Sequence, residues 1–565
     1  MYCKIEKLEL KLYLAFIYTL YFMMNIFENK FRKEYSKSVA YFSMEFGIDQ
    51  ALKTYSGGLG YLAGSHMRSA FALNQNLMGI GVLWKYGYYE QQRNTDNSLR
   101  VFFREQMYSF LEDTGVRFQI NIKGQAVWVA TYFLPSNIFN CAPMFFLTTD
   151  PDGNDEWARS ISYHLYDKDA EIKVAQCMLL GIGGAKFLDK ASLIPEIYHF
   201  NEAHAVSAVY YLLSQNNDLK KLREKLRFTT HTPEEAGNEK HSFGFLQSLG
   251  FFCGLNPLEV AQISAVKDDL FNHSLAALRV AKKANAVSKL HGEVSRDMWG
   301  HEEGICKIDY ITNAQNRAYW VDEVLETNRL IGRAEVINSR KKELKSVLFK
   351  EVADQVGKIF DPNVLTIVWA RRFAGYKRPE LITKDLKRFE NLIASGKVQI
   401  IWAGKPYPFD FAAIDTFNKL YYMSHLCKNM AVLTGYELKL SKMLKDGTDV
   451  WLNNPVVTRE ASGTSGMTAA MNGAINLSTY DGWVCEFSDD TNSFIVPVAD
   501  GSDGYLRDKT DMNNLLDKIE NEIIPLYYDH PEKWKTMVLK SMNDVNEFFD
   551  SDRMADEYYK KMYNA

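Results

Sequence analysis

The chain lacks a CxxC pair, and its seven cysteines (Cys3, Cys141, Cys177, Cys253, Cys306, Cys427 and Cys485) are scattered and odd in number. That argues against a disulfide framework and a cysteine-bound structural zinc, and it fits a reducing, cytoplasmic setting. HExxH spacing is also missing, so no metal is expected. There is no basic excess: 66 Lys and Arg stand against 70 Asp and Glu, a formal net charge of −4. A nucleic-acid-binding chain would carry a basic footprint. Internal repeats and low-complexity linkers are absent. The apolar run Leu12 to Phe27 falls short of the roughly 20 residues of a membrane span. Glu6, Glu9 and Lys11 precede it, and no small-residue cleavage site follows. Residues 1–37 are therefore read as an extension, either from a start assigned ahead of Met23 or Met24 or as a peripheral helix, without firm membrane association.

What is present is an ordinary globular composition, 47% hydrophobic and 24% charged over 565 residues, enough for two large domains. Most of the 13% aromatics are expected in cores, with a minority lining a cleft. From residue 38 onward, short apolar runs alternate with longer amphipathic stretches. The runs PEIYHF (195–200), KLRFTTH (225–231), VLTIVWA (364–370), VQIIWAG (398–404) and MAVLTGY (430–436) read as strands, most of them leading into helices. That order predicts an α/β chain with parallel, doubly wound sheets, whose ligands bind beyond the carboxyl ends of the strands. We expect an N-terminal Rossmann-like domain over 38–316 and a second over 317–525, facing each other across a cleft. A charged helical stretch spans 320–360, and helices in 526–565 are expected to pack back across both domains.

Unusual residues collect at the predicted strand ends. YSGGLGYLAGSH (55–66) opens a helix with Gly57, Gly58 and Gly60, which suit either close backbone approach to an anion or a tight packing turn. HFNEAH (199–204) and FTTHTPEEAGNEKH (228–241) bring histidines that either hold a polar substrate or are satisfied core groups. Glu202, Glu234 and Glu235 read equally as helix-start carboxylates. ARRFAGYKRP (370–379) places Arg371, Arg372, Lys377 and Arg378 after a buried strand, where cations are costly unless an anion meets them; a solvated basic loop is the alternative. WAGKPYP (402–408) is a weaker signal of the same kind. EASGTSGMTAAMNGA (460–474) couples a glycine-rich anion loop to a helix with an apolar stripe at Met467, Ala470, Met471 and Ala474. Glu460 at its mouth suits sugar hydroxyls or caps the helix. Together these point to transfer of a sugar to or from phosphate.

YFSMEFG, SGGLG, LGIGG (180–184), HFNEAH, FTTHTP, RRFAGYKRP, TDVWLN and EASGTSGM, in this order from about residue 38 to 490, resemble the α-glucan (glycogen, starch, maltodextrin) phosphorylase family, in its short bacterial form. The resemblance implies a glycosyltransferase-B fold. It implies phosphorolysis of α-1,4-glucan ends to glucose 1-phosphate, and a pyridoxal phosphate cofactor whose phosphate assists the chemistry. Carried over by motif, it implies that Gly58 and Leu59 lie by the phosphate and sugar, and that His231 bonds the glucose. Asn313, Glu460, Ser462 and Gly463 would hold hydroxyls, Arg372 and Lys377 clamp the reactive phosphate, and Tyr376 lines the site. Arg371, Thr464 and Ser465 would surround the cofactor phosphate. α-1,4-Glucan and phosphate are the implied partners, and a homodimer is allowed.

The chain departs from this family at several points. Thr468 stands where the family has the lysine that forms the Schiff base, and a hydroxyl cannot form an imine. Any pyridoxal phosphate is then expected to bind without a tether at that position. GSH (64–66) replaces GDH, and ITNAQN (311–316) replaces an ITNGVH-like stretch. These departures imply altered or lost activity. They leave open a nucleotide-sugar-dependent, glucan synthase-like transferase and a non-catalytic glucan-binding homologue.

Overall fold

The computed structural model describes residues 26–27, 30–499 and 503–565; most of the N-terminal apolar run lies outside the described residues. The first sheet orders nine strands as Ile308–Tyr310, Lys283–Ala286, Leu226–Thr229, Ile197–Asn201, Val39–Phe42, Leu77–Val82, Met144–Thr148, Gln125–Leu134 and Glu112–Ile122. The first seven are parallel, and the last two join by antiparallel pairing. The second sheet is wholly parallel: Met430–Leu433, Val398–Ala403, Leu365–Ala370, Val450–Asn453, Ile475–Thr479 and Ser493–Val496. Every residue of Leu365–Ala370 and Val398–Ala403 is buried, as helices on both faces of a parallel sheet require. These continuous apolar runs are what made the strands readable. The fold is α/β of the glycosyltransferase-B type, two Rossmann-like doubly wound domains across a cleft.

The predicted apolar helical stripe is shorter than its spacing suggests. The helix runs Ser465–Met471, with Asn472 at its end. Gly473 adopts φ +75°, a left-handed turn that ends the helix, so Ala474 leads instead into the strand Ile475–Thr479. Met467, Ala470 and Met471 are fully buried. Residues 320–360 form the helices Glu323–Leu330 and Ala334–Val356.

The C-terminal segment serves both halves in turn. In Pro531–Phe548, Trp534, Met537, Val538 and Met542 join the apolar core of the second sheet. Residues 551–563 then cross to the first sheet, where Tyr558, Tyr559 and Tyr563 pack with Val39 and Tyr41. The Tyr563 hydroxyl lies 2.6 Å from His199 Nδ1. The six described cysteines are free. Among the described residues no helix is long and apolar enough to cross a membrane, and no group of three or more His, Cys, Asp or Glu is arranged to hold a metal.

Candidate active site

Loops at the carboxyl ends of the two sheets enclose a cavity of about 600 Å³, the place such sheets offer a ligand. Every residue assigned a role by the family resemblance lines it except Thr468. Gly58, Leu59, His231 and Asn313 come from the first half. Arg371, Arg372, Tyr376, Lys377, Glu460, Ser462, Gly463, Thr464 and Ser465 come from the second.

The second half supplies a cationic wall around one carboxylate. Lys377 Nζ donates to Glu460 Oε2 at 2.7 Å, and Arg371 Nη2 lies 3.4 Å from the same oxygen. Burial pushes the Glu460 carboxyl up, but Lys377 and Arg371 together outweigh it and hold the group below the usual carboxylate range. Arg371 Nε and Nη1 are buried and without a hydrogen-bond partner, as are Ser462 Oγ and Asn313 Oδ1. Buried polar groups are normally satisfied; the open Arg371 donors suit an anion, and the Asn313 oxygen suits a hydroxyl donor. Gly463 takes φ +75°, which turns the loop at Glu460. Asp481 underpins that turn, accepting from the Glu460 N–H at 3.0 Å and the Gly482 N–H at 2.9 Å. Burial raises its carboxyl to about 7.

The basic loop splits. Arg378 does not reach the cavity: it donates to the carbonyls of Asn454 and Pro455 and to Asp508 and Asp511. The expectation of four cations meeting one anion is corrected to three. Lys405, from the weaker WAGKPYP signal, lines the cavity but is tied to the Tyr89 carbonyl (2.6 Å) and Glu437 (3.0 Å).

The first half supplies a neutral wall. His231 Nε2 is 2.7 Å from Asn201 Oδ1. An amide oxygen can only accept, so the imidazole donates there and leaves Nδ1 as its acceptor. Burial, with His291 and His204 adding to it, pushes its pKa down to about 3, so it stays neutral near pH 7. The backbone N–H of His231 and the Thr232 hydroxyl both donate to Glu202 Oε1, and Glu202 itself sits at φ +69°. Strain at a non-glycine residue beside a cavity is a mark of a functional turn. Glu202 therefore does more than start a helix. Glu234 pairs with Arg459 at 2.6 Å, joining the two halves.

The glycines of SGGLG separate by geometry. A Cβ on Gly57 or Gly58 would meet nothing within 4 Å, whereas one on Gly60 would lie 2.6 Å from Tyr55 Cβ. Gly57 and Gly58 face the cavity, and Gly60 serves packing. Sequence reasoning missed Glu45, although it lies inside YFSMEFG. Its carboxylate accepts from the Ser56 and Gly57 N–H groups (2.6 and 3.1 Å), the Ser56 hydroxyl (2.8 Å) and the Tyr166 hydroxyl (2.7 Å). It fixes the turn that presents Gly58 and Leu59.

Thr468 is fully buried one turn into its helix, and its hydroxyl donates to the Ser465 carbonyl at 3.0 Å. The other two departures meet each other: Ser65 Oγ donates to Gln315 Oε1 at 2.8 Å. Gln315 also exchanges backbone hydrogen bonds with Phe549 and Ser551. Neither lines the cavity, so this pair belongs to the seam with the C-terminal arm.

The carbohydrate phosphorylase family model matches residues 320–496, the stretch carrying the cationic wall and the glycine loop. An uncharacterized protein of Methanocaldococcus jannaschii is 43% identical over 93% of this chain and the whole of its own length. The maltodextrin phosphorylase of Thermococcus litoralis is 31% identical over 94% of this chain and 71% of its own. The glycogen phosphorylase of Aquifex aeolicus is 28% identical over 97% and 89%. With the same motifs gathered around one interdomain cavity, the chain belongs to the carbohydrate phosphorylase family.

Proposed function

We propose that this chain is an α-1,4-glucan phosphorylase, moving a glucosyl unit between a glucan non-reducing end and phosphate. The observation that carries the reading is the shared cavity: three cations, a carboxylate and a neutral histidine converge where a phosphoryl group and a hexose would lie side by side. Arg372 and Lys377 bind the reactive phosphate, bringing charges that grow in value as water is excluded. Glu460 accepts from sugar hydroxyls, since both its cations sit at Oε2. Asn313 Oδ1 and Ser462 Oγ, both unpartnered, complete the hydroxyl contacts, and Tyr376 closes the wall. His231, held neutral by burial, orients the ring and sets its carbonyl toward the developing positive charge.

The residues also fit pyridoxal phosphate. The two unpartnered Arg371 nitrogens, with Thr464 and Ser465, would hold its phosphate, and Tyr61 and Tyr436 stand on the same cavity wall. When bound, the group supplies a phosphate that exchanges a proton with the substrate phosphate. The test is direct. Purified protein with glycogen or maltodextrin and inorganic phosphate is expected to release glucose 1-phosphate, and Arg372→Met to abolish the release. Thermal stabilisation by UDP- or ADP-glucose with no phosphorolysis would overturn the reading in favour of a nucleotide-sugar transferase. Glucan binding with neither would reduce it to a binding protein.

A further inference from the structure

Four lysines lie in or against the cavity wall, and they are not alike. Lys173, Lys377 and Lys405 line the cavity, and each is paired with a carboxylate, at 2.6, 2.7 and 3.0 Å respectively. Lys445 stands apart. It is 1% exposed, on the helix Leu438–Asp446 that follows the cavity residue Tyr436. Among the described residues its Nζ makes no ion pair and no hydrogen bond. It rests instead 3.7 Å from the Trp320 ring centroid and 5.6 Å from that of Tyr61, a cavity-wall residue.

Lys445 also belongs to the neighbourhood of Thr468. Lys442, on its own helix, donates to the Trp320 carbonyl at 3.0 Å. Asn472 donates to the same carbonyl at 2.9 Å and to the Thr468 carbonyl at 2.9 Å. The ring under the Lys445 amine is thus tied by one side chain to the residue where the family's lysine is missing. The helices Leu438–Asp446 and Ser465–Met471 pack directly on each other.

Resting on the reading above, we propose that Lys445 is a relocated cofactor-tethering lysine: its amine, in place of one at position 468, bonds an aromatic aldehyde of the pyridoxal phosphate class in this cavity. The four-carbon stem is flexible, and the tether requires its rotation to bring Nζ past Tyr61, whose ring lies 5.6 Å away and lines the cavity. The step balances without an oxidant or reductant. The Nζ lone pair attacks the aldehyde carbon and a C–N bond forms. Two protons leave nitrogen, and the carbonyl oxygen departs as water, leaving the C=N bond. Burial among apolar rings, more than the opposing influence of Asp446, holds the Lys445 amine well below the ordinary lysine range. That direction favours the free base that this attack requires. The three paired lysines of the wall are engaged by their carboxylates.

The experiment uses the full chain loaded with pyridoxal 5′-phosphate, reduced with borohydride, digested and mapped by mass spectrometry. The expected result is a phosphopyridoxyl adduct on the peptide containing Lys445, lost in Lys445→Met. In the double variant Thr468→Lys with Lys445→Met, the adduct is expected to move to position 468. The site of the adduct in the unaltered protein decides the matter even if a variant fails to fold. An adduct on Lys173, Lys377 or Lys405, or cofactor retained through dialysis with no reducible bond, overturns the tether and leaves the phosphorylase reading standing. No retained cofactor also overturns the tether. The phosphorylase reading is judged separately, by glucose 1-phosphate formation.

Discussion

Arg371 and Arg378 lie in one loop after one buried strand, and both are buried, yet they do opposite things. Arg378 has every guanidinium nitrogen engaged, by two carbonyls and two aspartates. Arg371 has two nitrogens buried and unpartnered. A closed donor set is architecture: it pins the loop to the helix Gly504–Lys518, which carries Asp508 and Asp511. An open donor set, held at the same depth, is a place kept for an anion. The cost of burying the charge is met wholly within the fold in the first case and only in part, by Glu460, in the second.

That contrast can be broken in order of expected effect. Arg378→Met leaves Asp511 buried without its partner. It should lower stability by about 3–5 kcal/mol, read by chemical denaturation, with the activity per folded molecule nearly unchanged. Arg371→Met should do the reverse: phosphorolysis falls about 100- to 1,000-fold while the melting temperature barely moves. If both variants lost stability alike, the distinction between closed and open sets would fail.

The glycines extend the contrast at smaller scale. Gly60→Ala forces a Cβ to within 2.6 Å of Tyr55 Cβ and should cost about 1–3 kcal/mol of stability. Gly58→Ala has open space around it and should leave the melting temperature unchanged while raising the KM for phosphate or glucan. A melting temperature that drops equally in both would place Gly58 with the packing glycines.

The smallest effect concerns pH. Asp481 is raised to about 7 in the fold from an ordinary value near 4, so the folded state binds its proton more tightly than the unfolded chain does. Its ionisation therefore removes stability as pH rises from about 4 to about 7 and adds no further change above that. Asp481→Asn, compared with the unaltered protein across that window, should flatten the slope by up to about 1.4 kcal/mol per pH unit, roughly a degree or two of melting temperature per unit in a large chain. An unchanged slope would place the titration elsewhere.

Much of the fold was legible because the second sheet's strands are buried on both faces and so read as unbroken apolar runs. The cavity's members were legible from strand-end motifs and from family resemblance. What stayed hidden depended on partners far away in sequence. Nothing in KRP told that Arg378 would find Asp508 and Asp511. Ser65 and Gln315 look like separate losses of family residues until the fold shows one donating to the other. Glu45 was inside a quoted motif, but its role rests on the turn at Ser56 and Gly57. Lys445, in LKLSKMLKD, reads as one more cation on a surface helix, and only packing against Trp320 removes it from water.

By itself the sequence determined the α/β class, the strand-end positions of the polar residues, and the impossibility of an imine at Thr468, since these follow from residue chemistry and local periodicity. The tertiary structure alone decided which cations face the cavity, which glycines are pressed by neighbours, and which of the four lysines at the cavity wall sits without a carboxylate. Each of those depends on side chains brought together from distant parts of the chain, and local pattern carries no information about distance in space.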